Sequence, residues 1–367
     1  MVSKPRKLFY LFPWPLMALV LLLLGAGLVN LYSASTAADG SLAPYFHSQL
    51  IWVGIGLALL ALTQTFNYRR LLAVAPPFYL FTLVLLVLVV LIGKSSGGQK
   101  NWLALGPFRF QPSELAKLSL ILLLAKYFQA PAPAKRFLSY WLKPMGLVLL
   151  PMALILAERD LGSALFFGLI GLTFLFLAGL PARYLVYGLI LASLCSVGAY
   201  RYFLSGYQKS RIQTFLNPES DPRGKGYHLI QSKIAVGSGQ WLGKGFLKGD
   251  LNKFRFLPER HTDFVFPVLA EEWGFAGGAA ALGGLSVLLL LLLQGAGKLQ
   301  DRFGAYLVVG VAALLFWQTV INLGGVLGLM PLAGVTLPFF SYGGSALLTS
   351  LLGLGLAANA LTRRYMF

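Results

Sequence analysis

Residues 256–275 read FLPERHTDFVFPVLAEEWGF. Glu259, Arg260, His261, Thr262 and Asp263 stand at the mouth of an apolar stretch, and Glu271 and Glu272 follow inside it. A carboxylate at a water boundary stays ionised and reachable, which suits Asp263 to act as a general base, with Arg260 and His261 beside it. The same position also suits an N-cap or first-turn carboxylate stabilised by the helix dipole. Glu271 lies roughly 12 Å deeper on nearly the same helical face, and Glu272 is rotated away. Both need polar partners within the protein, and structural pairing and function are equally open for them.

Three further stretches place polar residues in similar settings. In GGQKNWLALGPFRFQPSELAKLSL (97–120), Pro112, Ser113 and Glu114 make a good helix start, and Glu114 and Lys117 form an i,i+3 pair in its first turn. Trp102 suits an interfacial aromatic belt, and its place two residues after Lys100 leaves room for stacking on a substrate. In ERDLGSAL (158–165), Asp160 reads first as a helix cap. In LPFFSYGGSALL (337–348), reached through INLGGVLGLMPLAGV (321–335), prolines, paired glycines, Ser341 and Ser345 read as a broken or re-entrant segment. Such backbone is tolerated at membrane depth only when buried in protein or lining a cavity.

The elements that position these groups are membrane spans. Of the 367 residues 57% are hydrophobic and 11% charged, and the apolar runs exceed what a soluble core helix needs. They are too continuous for barrel strands, so the expected fold is an all-α polytopic membrane protein. Ten transmembrane helices are predicted, at about 13–33, 48–66, 71–93, 112–128, 140–157, 161–181, 184–203, 264–294, 303–327 and 342–361. The first is too long for a signal-peptide core and has no small-residue cleavage site, so it is expected to stay. Counting Lys and Arg on alternate sides gives fourteen on the N-terminal face, against four (Lys94, Lys100, Arg109 and Arg159) in short loops on the other. That bias predicts cytoplasmic N- and C-termini. The chain is thus expected to be a single integral membrane domain, 1–367, with a large external loop, 204–263, between spans 7 and 8.

That loop holds ten Lys or Arg against five Asp or Glu. Its stretch YHLIQSKIAVGSGQWLGKGF suggests short helices at the membrane surface. It suits either contact with anionic lipid headgroups or a site for a phosphate-bearing lipid substrate. The formal charge of +18 does not imply nucleic acid, because no soluble domain presents a basic stripe and topology accounts for fourteen of the thirty basic residues. Cys195 lies mid-span, and His47, His228 and His261 lack metal-ligand spacing, so no metal ligands are assigned.

The runs GGQKNWLALGPFRFQPSELAKL, RDLGSAL, NPESDPRGKGYHLIQSKIAVGSGQWLGKG, LPERHTDFVFPVLAEEWG and NLGGVLGLMPLAGVTLPFFSYGGSALL closely resemble the SEDS family (shape, elongation, division and sporulation). The resemblance runs from the first span to the last, and the ERHTDF form, the YHLIQSKIAVGSG loop and the short termini favour the elongation members over the division members. It implies a SEDS-type fold and a peptidoglycan glycosyltransferase that polymerises lipid II on the outer face of the cytoplasmic membrane. Asp263 matches the family's essential aspartate, and Trp102, Glu114 and Lys117 match positions of its functional central cavity. Many relatives have Gln-Pro before the aspartate of ERDLGSAL, so Asp160 keeps its place while Glu158 and Arg159 depart from the pattern.

On this reading Asp263 deprotonates the attacking sugar hydroxyl and undecaprenyl pyrophosphate leaves. Positive charge must meet the leaving group, and Arg223, Lys225, Lys233 and Lys117 are candidates, as is a divalent cation (Mg or Mn) shared with the pyrophosphate. Asp160, Arg260, His261 and Ser341 complete the expected substrate-binding set. The resemblance implies a class B penicillin-binding protein transpeptidase as partner, alongside other elongation-complex membrane proteins. Two other classes compete. A lipid II flippase predicts ionisable residues at the midplane, where only Glu271 and Glu272 fit, and a non-enzymatic scaffold should tolerate Asp263→Asn.

Overall fold

The computed structural model describes residues 9–36, 41–96, 99–105, 108–131, 137–202, 206–220, 225–250, 256–257 and 259–364. Every stretch read as a span is helical over most of its length. The helices are α1 (Trp14–Ser35), α2 (Tyr45–Thr63), α3 (Leu71–Ile92), α4 (Pro112–Phe128), α5 (Phe137–Ala157), α6 (Leu161–Leu177) and α7 (Ala182–Tyr202). Then come α8 (Gly206–Leu216) and α9 (Lys225–Ser238) within the 204–263 segment, followed by α10 (Val265–Gly297), α11 (Arg302–Val326) and α12 (Gly344–Thr362). Among the described residues seven helices are long and apolar enough to cross a membrane, and Leu161–Leu177 is a shorter apolar one.

The fold is mostly helical, as expected, with one small addition. Three short strands, β1 (Lys94–Ser96), β2 (Gln99–Leu105) and β3 (Phe108–Phe110), form an antiparallel sheet in the order β1-β2-β3, with Trp102 opposite Lys94 and Leu103 opposite Phe110. Gly97-Gly98 and Gly106-Pro107 fall between the strands. These turn dipeptides are the available signal, and the surrounding apolar runs masked it.

The chain forms two compact units, and each has its own packing. The first comprises Met1–Leu62, Arg211–Gln294 and Gln318–Leu352. In it the Asn30 side-chain amide donates to the Val265 carbonyl (3.1 Å), and Gly27 lies directly against the Phe339 backbone, where no side chain would fit. Its longest helix, α10, is broken at Gly274 (φ 65°, ψ −162°). A break orphans backbone groups on both sides, and the loop after α9 supplies partners for them. Phe275 N–H donates to Gln240 O (2.7 Å) and Ala276 N–H to Trp241 O (3.0 Å), while Lys244 and Gly245 N–H donate to the carbonyls of Glu271 (3.0 Å) and Glu272 (2.9 Å). Gly243 (φ 80°) permits the close approach, since a Cβ there would collide with the Glu272 carbonyl. Both glutamates have polar partners within the protein: Glu271 pairs with Lys244 (2.8 Å), and Glu272 accepts a 2.5 Å hydrogen bond from Ser33.

The second unit comprises Thr63–Ser210, Gly295–Trp317 and Gly353–Phe367. Here α3 packs on α4 and α5 on α6. Buried polar ties hold the helices in register: Thr82 to Ser119 (2.7 Å), Tyr79 Oη to Leu147 O (2.7 Å) and Trp317 Nε1 to Thr173 Oγ1 (2.9 Å). A buried Asn359 amide donates to the carbonyls of Thr63 and Phe66 (2.7 Å for the latter) and so fastens the turn between α2 and α3.

Candidate functional site

In the first unit the turn 259–264 closes on the Glu259 carbonyl, which accepts from Thr262 N–H (3.0 Å) and Phe264 N–H (3.3 Å), with Glu259 itself at φ 46°. Its main chain is then fixed from outside. Asn322 of α11 donates to the Asp263 carbonyl (3.0 Å) and to Val335 O (2.7 Å). Ser341 donates to Thr262 O (2.6 Å) and accepts from Leu337 N–H (2.8 Å), and Tyr342 N–H donates to His261 O (2.7 Å). Ser341 is therefore buried with its hydroxyl committed to backbone. Gln318 reaches Thr336 (3.0 Å), while Gln49 donates to Ser341 O (3.1 Å) and accepts from Gly343 N–H (3.3 Å). The result is an irregular segment, 327–343, pinned by three buried amides, with the half-buried Asp263 seated beside it. Asn322 and Gln318, one helical turn apart in an otherwise apolar run, are the sequence signal that went unread.

The His261 ring stacks on Tyr45 (centroids 3.9 Å apart, planes 12° apart). Burial lowers its pKa, outweighing the nearby Glu259 carboxylate (3.8 Å), and so favours the neutral ring. Arg260 is buried, its guanidinium 3.5 Å from the Thr36 carbonyl.

Two glycines of the 327–343 segment have left-handed backbone and open onto cations. At Gly334 (φ 68°), the nearest atoms to where a Cβ would stand are Asp263 Oδ2 (3.6 Å) and Arg211 Nη2 (3.8 Å) and Nη1 (4.0 Å). At Gly328 (φ 72°) the Lys233 ammonium occupies the equivalent place. Sequence reasoning did not single out Arg211. It was one of ten basic residues in its segment, and only tertiary folding distinguishes it. Arg223 lies outside the described residues.

The second unit holds the other expected residues. Glu114 and Lys117 form a buried ion pair (2.7 Å), and the ammonium also lies 4.4 Å from the Phe166 ring centroid. Trp102 is half-buried on β2. Asp160 caps α6 and accepts from Ser163 N–H (3.0 Å), Ser163 Oγ (2.9 Å) and Asn101 Nδ2 (3.0 Å). Glu158, two residues earlier, is 1% exposed, and neither carboxyl oxygen has a hydrogen-bond partner. Burial, and then the Asp160 charge, push its pKa up to about 8, so it is largely protonated at neutral pH.

Among the described residues no three His, Cys, Asp or Glu side chains converge as metal ligands do. Mg and Mn want several oxygen ligands, and the group that stands with Asp263 at Gly334 is the Arg211 guanidinium.

Apolar helices of spanning length, with a carboxylate and cations seated beside a pinned, irregular segment, define a multi-pass membrane protein with a polar site built on broken backbone. Residues 14–366 match the cell cycle protein family FtsW/RodA/SpoVE, and the chain belongs to that family. It is 37% identical to the peptidoglycan glycosyltransferase MrdB of Escherichia coli K12, over 100% of this chain and 99% of that one. It is 30% identical to the peptidoglycan glycosyltransferase RodA of Treponema pallidum, over 96% and 98%. Its fold is similar to a chain from a peptidoglycan synthase complex that coordinates polymerization and crosslinking (TM-score 0.82, 37% identity, 97% and 99% covered). It is also similar to the rod shape determining protein RodA of Thermus thermophilus (TM-score 0.73, 35% identity, 96% and 98% covered).

Proposed function

We infer that the chain is a peptidoglycan glycosyltransferase of the SEDS family, polymerising lipid II during cell elongation. The observation that carries the mechanism is the seating of Asp263, whose main chain is fixed by Asn322 while its carboxylate lies 3.6 Å from where a Cβ at Gly334 would stand. A base held in place avoids reorganisation during proton transfer. Asp263 takes the proton of a sugar hydroxyl on one lipid-linked saccharide as that oxygen attacks the anomeric carbon of another. The bond from the anomeric carbon to phosphate breaks, and undecaprenyl pyrophosphate leaves. Lys233, with Arg223 and Lys225 of the same segment, supplies positive charge for the leaving group, and Trp102, Glu114, Lys117, Asp160, Arg260, His261 and Ser341 bind or support the substrate. A divalent cation enters as counterion of the pyrophosphate, and no step runs through it.

The enzyme sits in the bacterial cytoplasmic membrane with ten spans, cytoplasmic termini and its site on the outer face, where α8 and α9 lie at the interface. It works with a class B penicillin-binding protein transpeptidase and other elongation-complex membrane proteins. The flippase reading loses its main support, because Glu271 and Glu272 are engaged by Lys244 and Ser33.

The test is polymerisation of purified lipid II by the chain co-purified with its transpeptidase, comparing wild type with Asp263→Asn, with and without Mg or Mn. Glycan from wild type and none from a folded mutant is expected. Equal polymer from both removes Asp263 as base, and no polymer from either, with lipid II scrambling in vesicles, returns the flippase.

A further inference from the structure

Gly334 has no side chain and a left-handed backbone, and the atoms nearest to where a Cβ would stand belong to two groups of opposite charge: the Asp263 carboxylate and the Arg211 guanidinium, each within 4.0 Å of that point. The two come from separate elements. Asp263 belongs to the turn before α10, whereas Arg211 is carried by α8, fifty-two residues earlier in the chain. The other charged groups of the turn are Glu259, Arg260 and His261, and the Arg260 guanidinium is 3.5 Å from the Thr36 carbonyl. The α11 helix contributes the neutral amides Gln318 and Asn322, and Lys233 stands at Gly328, six residues along the segment. Among the described residues, Arg211 is a cation that stands with Asp263 at Gly334.

We propose that Arg211 is a positioning residue for the reaction, which keeps the Asp263 carboxylate ionised and aimed across the Gly334 notch. The inference rests on Asp263 being the general base. A cation beside a carboxylate favours its charged form, and a planar guanidinium with fixed donors orients it as well. Gly334 fits this role because a Cβ there would stand within 4.0 Å of both the base and the cation. In this arrangement a basic residue of the external segment acts on the base itself, separately from the cations that meet the leaving group.

The experiment is the pH profile of lipid II polymerisation by the full chain co-purified with its transpeptidase, for wild type, Arg211→Lys and Arg211→Gln, with Asp263→Asn alongside. Arg211→Gln keeps most of the shape and removes the charge. It is expected to move the acid limb of activity upward by about one pH unit or more, with rate recovering toward high pH. Arg211→Lys is expected to hold the limb within a few tenths of a unit of wild type. A folded Arg211→Gln enzyme that loses rate equally at all pH values, or loses none, overturns the proposal. If Arg211→Gln does not fold, Arg211→Lys decides: an unmoved limb with reduced rate supports a charge role, and a limb displaced as far as one unit overturns it. An active Asp263→Asn overturns the base reading itself, whereas an inactive Asp263→Asn with an immobile limb in Arg211→Gln overturns the Arg211 role alone.

Discussion

Glu158 carries a buried carboxyl group without a hydrogen-bond partner, two residues from a carboxylate that has three. Its folded pKa of about 8 stands above the usual 4.5, so the folded state holds an extra proton across that interval. The stability this contributes is full below about 4.5 and is lost as pH rises through about 8. His261 works in the opposite sense, since its lowered pKa costs stability only as pH falls below the usual 6.5. Between pH 7 and 8.5 wild type should therefore lose thermal stability, and Glu158→Gln should flatten that slope, measured as melting temperature against pH. The Glu114–Lys117 pair gives a second prediction. Glu114→Gln leaves an ammonium that is 2% exposed without its countercharge and should cost about 3 kcal/mol, read from detergent-phase unfolding. Both the pair and the Asp160 cap were legible from residue type and spacing, because i,i+3 and N-cap geometry are local. Arg211 was not, because its place beside Asp263 and Gly334 is set by tertiary folding across 52 and 123 residues of chain.

At the scale of elements, the 327–343 segment was recognisable as broken from its prolines and glycines, but its restraints were not. The amides that hold it come from α2 and α11. Asn322→Ala removes two hydrogen bonds at once and leaves the Asp263 carbonyl without that donor. It should cost on the order of 2 kcal/mol and lower the polymerisation rate more than it raises KM, since it loosens the base rather than substrate contacts. The strands of 94–110 were missed for a different reason. Their short alternating pattern sits between two long apolar helices, and the longer period dominated the reading. The break at Gly274 was also missed, since a lone glycine in an apolar run is common in spans. Gly243→Ala should strain its left-handed backbone and collide with the Glu272 carbonyl. Faster hydrogen exchange confined to 240–250 and 271–276 would register the detachment.

For the whole molecule, composition alone fixed the membrane class, and the excess of Lys and Arg on alternate loops fixed the expected orientation. The division into two units was not legible, because its boundaries fall inside continuous helices, at Leu62/Thr63, Ser210/Arg211, Gln294/Gly295, Trp317/Gln318 and Leu352/Gly353. Only long-range packing marks those points. The orientation makes a direct prediction. With Cys195 replaced by Ser, a cysteine at the exposed Asp250 should react with an impermeant maleimide in spheroplasts, and one at Lys298 only after permeabilisation. The reverse labelling pattern would invert the topology.

The docking of residues 240–245 onto the break in α10 also bears on how the chain is made. Lipid offers no donors or acceptors to an interrupted helix, so residues 271–276 depend on the preceding loop for their backbone partners. Synthesis runs from the N-terminus, so that loop has already left the ribosome when the first half of α10 follows. The partner for the break is thus in existence before the break itself, and insertion need not carry an unsatisfied helix while awaiting a later segment. A permuted chain in which 239–250 was translated after α10 should lose this advantage and yield less inserted protein, even where the final structure is the same.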